Sequence, residues 1–310
     1  MNALLTAFRA VFPPTMLITV GYISRLCKIV TEDDIYRFNQ LCYNVLISAV
    51  VFHNVYKAEI TVGECTPLLL FCVLGILAEY FLAGILIKRI EPSPDSQATM
   101  IQALFRTNVV IMGLPLAQSI YTDCGLMGAV YSVMVPMFNV LAVILFETHR
   151  NQKVESGKIA LSILKNPLII ASTAAIMLKC CGIHLPELLT GVISNMAGAG
   201  SCIVLILLGA SLEMQRLHAD RRKLIICLIG RLAVEPMLAL LIAAALGFRG
   251  LPLLCVLVVF GCPVATTSHV IAQQMGGDGD LAGEVLAMSV VCSCFTMFGW
   301  ICLLSSLALL

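Results

Sequence analysis

Three ionisable side chains lie inside long apolar runs of this 310-residue chain: Glu79 in Leu77-Ala78-Glu79-Tyr80, and Arg231 and Glu235 in Gly230-Arg231-Leu232-Ala233-Val234-Glu235. An isolated charge in hydrocarbon is costly, so a carboxyl there is either paired or carries a proton or a cation. Glu79 and Glu235 are therefore candidates for ion or proton coupling. Arg231 precedes Glu235 by four residues and shares its helix face, which equally suits a static ion pair. A fourth charge, Arg106, either meets an anion or runs its stem out to the cytoplasmic interface, and the second is the expectation here.

Backbone carries a second kind of chemistry. The runs Phe105-Arg106-Thr107-Asn108-Val109-Val110-Ile111-Met112-Gly113-Leu114-Pro115 and Phe260-Gly261-Cys262-Pro263-Val264-Ala265-Thr266-Thr267 each place a glycine two residues ahead of a proline within apolar sequence. Inside a helix the glycine costs about 1 kcal/mol and the proline about 3 kcal/mol. Unwound backbone at membrane depth is tolerated where it is buried in protein or lines a watery cavity, and its free N–H groups suit a carboxylate. Either break alone reads as an ordinary proline kink. The matched pair points to a binding site. Its candidate residues are Asn108, Gly113, Pro115, Pro263, Thr266 and Thr267, joined by Asn139 three residues after Pro136. Ser48, four residues after Asn44 on one helix face, is a further polar group. All these side chains also suit hydrogen bonds between helices, and hydroxyls often bond back to their own helix, which favours the two asparagines.

Other chemistries find no footing in the sequence. The 14 cysteines are scattered through apolar stretches without a C-x-x-C, and the five histidines are far apart, so no metal site is expected and the cysteines read as small apolar residues. There is no G-x-S-x-G, H-E-x-x-H or Walker loop. No catalytic residue and no cofactor is assigned, beyond a proton or sodium as coupling ion. Basic and acidic residues nearly cancel (19 against 18), and no basic run exceeds Arg221-Arg222-Lys223, which removes nucleic acid as a partner.

The elements that must hold these residues follow from composition. The chain is 60% apolar and 12% charged, which is a membrane protein's composition. With about 20 apolar residues needed per crossing, ten spans are predicted, at about 3–26, 35–55, 67–88, 98–121, 125–147, 166–183, 187–212, 224–246, 252–274 and 281–305. Thirteen of the 19 Lys and Arg fall in loops after odd-numbered spans, so the lipid bilayer is predicted to be crossed with both termini outside. The polar stretch 149–165 reads as a cytoplasmic connector between a first half (1–148) and a second (166–310). Five spans per half give opposite orientations, the condition for a 5+5 inverted repeat. Pro14 and Pro167, Glu79 and Glu235, and Pro115 and Pro263 recur at similar separations of 153, 156 and 148 residues. The fold class expected is an all-α membrane protein with spans 4 and 9 broken.

Several stretches resemble the auxin efflux carrier family, which includes bacterial malonate-type permeases and the plant PIN carriers. They are Arg106-Thr107-Asn108 followed by Gly113-Leu114-Pro115-Leu116 and Tyr121-Thr122-Asp123-Cys124-Gly125, then Phe38-Asn39-Gln40-Leu41, Val135-Pro136-Met137-Phe138-Asn139, Pro263-Val264-Ala265 and Asp280-Leu281-Ala282. The resemblance spans the chain and extends to the bile-acid/sodium symporter superfamily. It implies a scaffold of spans 1, 2, 6 and 7 that forms a homodimer, and a transport domain of spans 3–5 and 8–10 that moves like an elevator. Spans 4 and 9 would cross beside a small organic carboxylate at Pro115 and Pro263, with Asn139 and Ser48 near the ligand. Two departures, Ile47-Ser48 where bacterial relatives have proline and Leu-Pro-Leu in place of a plant Asn-Pro-Asn, argue against auxin itself. The expectation is a secondary transporter of a small organic anion in the plasma (inner) membrane. One rival is a sodium/proton antiporter, which would want an aspartate pair that spans 4, 5 and 9 lack before Asp123; the other is a non-transporting sensor, which would want a signalling domain.

Overall fold

In so apolar a chain, backbone N–H and C=O groups must be bonded within their own segments, which makes helix the default. The computed structural model describes residues 2–57, 66–113, 116–117, 120–121, 125–150, 164–211 and 221–310, and these are helical apart from short connections and one isolated antiparallel bridge, Thr107 to Val264.

In chain order the helices are α1 (Asn2–Leu26), α2 (Glu32–Leu41), α3 (Ile47–Lys57), α4 (Thr66–Ile90), α5 (Pro94–Phe105), α6 (Gly125–Arg150), α7 (Pro167–Cys180), α8 (Glu187–Ser211), α9 (Arg221–Ala245), α10 (Leu251–Gly261), α11 (Ser268–Met275) and α12 (Gly279–Ser306). Among the described residues four helices are long and apolar enough to cross a membrane: Thr66–Ile90, Leu126–Arg150, Glu187–Ala210 and Arg221–Ala245. The bent α12, with 41° between its two parts, adds a fifth if counted as one crossing. The predicted connector lies mostly outside the described residues, as do Leu114 and Pro115.

α2 starts at a reciprocal cap, in which the Thr31 hydroxyl accepts from Asp34 N while the Asp34 carboxylate accepts from Thr31 N. It continues through a widened turn at Cys42–Leu46 into α3. α1 lies along α8 at near-contact distance. A side chain at Gly21 would strike the Ile206 carbonyl, and one at Gly209 would strike that of Ile18. Small residues permit this approach, and apolar helices in lipid rely on such packing. α3 rests on α7 and α8, while α5, α9 and α11 each pack on α12, which also lies against α1. α10 is buried all round from Leu253 to Gly261, which explains why it is apolar on every face.

α9 contains a second widened turn, Gly230–Val234, which ends two residues before Pro236. Proline has no N–H for the carbonyl four residues earlier. That carbonyl, Leu232 O, accepts instead from Trp300 Nε1 of α12 at 3.1 Å.

Candidate functional site

Span 4 is interrupted ahead of its glycine. α5 stops at Phe105, and Arg106 is extended at φ −97°, ψ 111°. Winding has resumed by Val109–Gly113. Among the described residues an interruption therefore sits at Arg106-Thr107-Asn108, ahead of Gly113; the Leu114-Pro115 break inferred from sequence lies outside them. On the other segment α10 stops at Gly261, Cys262 is extended at ψ 151°, and α11 begins at Ser268. The two unwound segments then pair with each other. Asn108 N donates to Pro263 O at 2.9 Å and Ala265 N to Arg106 O at 3.2 Å, flanking the Thr107–Val264 bridge. Val264 N donates to Ser289 Oγ at 3.2 Å. A fragment of antiparallel ladder thus replaces helical bonds that both segments gave up.

One side of this crossing carries a cavity of about 60 Å³. Its polar wall is Arg106, Thr107, Asn108, Asn139, Thr266 and Thr267; Val50, Val51 and Asn54 of α3 and Val135 and Phe138 of α6 close it. Arg106 is only 4% exposed, which overturns the expected snorkelling. Its Nη2 donates to Asn139 Oδ1 at 2.6 Å and to Thr267 Oγ1 at 2.9 Å. These bonds orient the guanidinium and the Asn139 amide together. Arg106 Nη1, Asn108 Nδ2, Asn139 Nδ2 and Thr107 Oγ1 are buried with no hydrogen-bond partner among the described residues. Three of those four atoms are donors only. A buried donor without a partner costs about 1–3 kcal/mol, and more when charged, so the wall is built for acceptor atoms and negative charge.

Of the residues singled out in the sequence, Asn108, Asn139, Thr266 and Thr267 meet at this cavity. Pro263 is adjacent and contributes its carbonyl to the crossing. Ser48 is off the wall, its hydroxyl donating to Tyr43 O at 3.4 Å, and Asn54 from the same helix lines the cavity instead. Gly113 is also away from the wall; a side chain there would collide with Val258 of α10, so its role is packing. Arg231, Glu235 and Glu79 do not line the cavity. Arg231 Nη1 and Glu235 Oε2 are 2.7 Å apart, and Glu79 lies near enough to feel both charges. Glu79 Oε2 is buried and has no hydrogen-bond partner among the described residues.

Comparison with known proteins adds the class to this geometry. A family model described as membrane transport protein matches residues 6–301. The chain belongs to this family. It is the auxin efflux carrier family that the motifs resemble. Two similar proteins are both named uncharacterized transporters. That of Methanothermobacter thermautotrophicus is 22% identical over 92% of this chain and 94% of its own length. That of Methanocaldococcus jannaschii is 23% identical over 93% and 96%. In a membrane transport protein, a polar cavity flanked by unwound segments has a natural use.

Sequence reasoning missed Thr107 and Asn54 as members of the wall, and for Arg106 it favoured the interface over the anion contact. A usable signal existed: Arg106-Thr107-Asn108 and Thr266-Thr267-Ser268 are runs of three polar residues in otherwise apolar surroundings.

Proposed function

We propose that this membrane transport protein is a secondary active carrier of elevator type, that it moves a small organic carboxylate, and that the anion sits in the cavity beside the crossing. The observation that carries this reading is the Arg106 guanidinium, buried and oriented by Asn139 and Thr267: its Nη1 and the amide nitrogens of Asn108 and Asn139, residues that line the same cavity, have no hydrogen-bond partner among the described residues. No acidic residue is among the described lining residues, which favours an anion over the sodium/proton antiporter reading. A single guanidinium balances a single carboxylate best. A cavity of about 60 Å³ holds roughly four to six waters, a volume comparable with a carboxylate of as many heavy atoms.

In this reading ten spans form two inverted halves, with α5 and α10 the first arms of broken spans 4 and 9. α1, α2, α3, α7 and α8 form the scaffold and pair it into a dimer, and the remaining helices carry the substrate across the plasma membrane, both termini outside. Glu79 is the coupling carboxylate, since Glu235 already has Arg231 as its counter-ion.

Uptake of radiolabelled mono- and dicarboxylates into proteoliposomes tests the proposal. Wild-type protein is expected to take up at least one monocarboxylate, with a rate that depends on pH or sodium, and Glu79→Gln is expected to abolish that dependence. Absence of uptake of every acid in the panel would refute the carboxylate reading, and an unchanged dependence in Glu79→Gln would refute the coupling role.

A further inference from the structure

Away from the residues that line the cavity, the crossing also gathers a set of carbonyls. When a helix stops, its last carbonyls lose their intrahelical partners, and within a membrane each needs another donor. Here the deficits can be named. Val259 O would accept from the residue at 263, which is proline and has no N–H. Leu104 O would accept from Asn108 N, which is spent on Pro263 O. Cys262 O is left by the unwinding that follows it.

All three go to one side chain. Arg231 Nε donates to Cys262 O at 3.0 Å, Nη2 to Val259 O at 3.1 Å and Nη1 to Leu104 O, while Nη1 also meets Glu235 Oε2 at 2.7 Å. Its exposure is 0%, so no water shares the work. The guanidinium also stands where the negative ends of two helix dipoles converge, at the C-termini of α5 and α10. A planar fork of five donors suits acceptors from two separate helices; a lysine ammonium, a point at the end of a flexible stem, does not.

We infer that Arg231 is a positioning residue for the anion site: by clamping the carbonyl ends of α5 and α10 together it fixes the crossing, and with it Arg106 and Thr267, without touching the ligand. Arg106 is two residues beyond Leu104, and Thr267 five beyond Cys262, so play at the clamp passes straight into the cavity wall. The effect on ligand binding rests on the anion reading above; the clamp itself does not.

Two substitutions separate the clamp from simple charge neutralisation. Arg231→Lys keeps the charge facing Glu235 and loses the fork. Glu235→Gln removes the ion pair and keeps the fork. Hydrogen exchange of segments 104–108 and 262–267, read by mass spectrometry on detergent-solubilised full-length protein without ligand, reports the crossing directly. We expect Arg231→Lys to speed exchange there about tenfold or more, as loss of charge-assisted bonds implies, with little change in Glu235→Gln. Arg231→Lys exchanging like wild type, or Glu235→Gln exchanging as fast as Arg231→Lys, would overturn the clamp. Titration of propionate is the second readout: affinity is expected to fall about tenfold in Arg231→Lys, and unchanged affinity alongside faster exchange would overturn the link from clamp to site. Wild-type protein that shows no propionate binding would count against that anion as ligand while exchange still decides the clamp.

Discussion

Arg106→Gln separates the two things a buried guanidinium does. Arg106 is only 4% exposed, and the described cavity wall supplies neutral oxygens, Asn139 Oδ1 and Thr267 Oγ1, as its partners. Burying a charge without a counter-ion costs several kcal/mol, whereas exchanging charge-assisted bonds for neutral ones forfeits about 1 kcal/mol each. Glutamine keeps a donor for Asn139 and drops the charge, so the unliganded protein is expected to be as stable as wild type or more so. Binding behaves in the opposite way. Loss of a charge-assisted bond to the carboxylate removes about 1.5–3 kcal/mol, or roughly tenfold to over a hundredfold in affinity. At a ligand concentration of about 100 times Kd, wild type gains about 2.7 kcal/mol on binding; with affinity a hundredfold weaker the gain falls to about 0.4 kcal/mol. Thermal unfolding of purified protein with and without the carboxylate that stabilises wild type measures both terms. A variant that melts lower than wild type when empty yet keeps the full ligand-induced shift would refute the assignment of Arg106 to the binding wall.

Two further outcomes follow from packing and backbone satisfaction. Gly113→Ala places a methyl group against Val258, and is expected to destabilise by about 1–3 kcal/mol in thermal unfolding, with part of the loss recovered by adding Val258→Ala. Trp300→Phe leaves the Leu232 carbonyl without its donor, costing about 1–3 kcal/mol. Pro236→Ala restores a backbone N–H within reach of that carbonyl, so the cost of Trp300→Phe should shrink in its presence, a coupling that a double-mutant cycle measures.

The apolar runs that predict the helices are local properties, and they translate into helices because burial and backbone satisfaction act on each segment separately. The break after α10 is legible for the same reason, since Pro263 removes an N–H whatever surrounds it. The break after α5 is not. Residues 106–108 contain no glycine or proline, and they unwind because Asn108 N finds Pro263 O and Arg106 O finds Ala265 N, partners from the other half of the chain. Gly113 marks a point seven residues after the start of this interruption, and Leu114 and Pro115 beside it lie outside the described residues. Arg106 was read as reaching for water because a sequence shows the cost of a buried charge but not its relief; Asn139 and Thr267 lie 33 and 161 positions away. Arg231 was legible only in its i, i+4 relation to Glu235. Its remaining acceptors are carbonyl oxygens, which every residue has and no sequence pattern marks.

The antiparallel pairing at Thr107 and Val264 joins residues far apart in the order of synthesis. Arg106 O and Ala265 N are separated by 159 positions. At about 5–20 residues per second, ribosomes take roughly 8–32 s to make that interval. For that long, the nascent first half holds a charged segment whose long-range backbone partners and whose clamping arginine do not yet exist. Co-translational assembly must therefore keep Arg106-Thr107-Asn108 wet or shielded until the second half arrives, and a first half made alone is expected to be held back by quality control even though its helices are intrinsically stable.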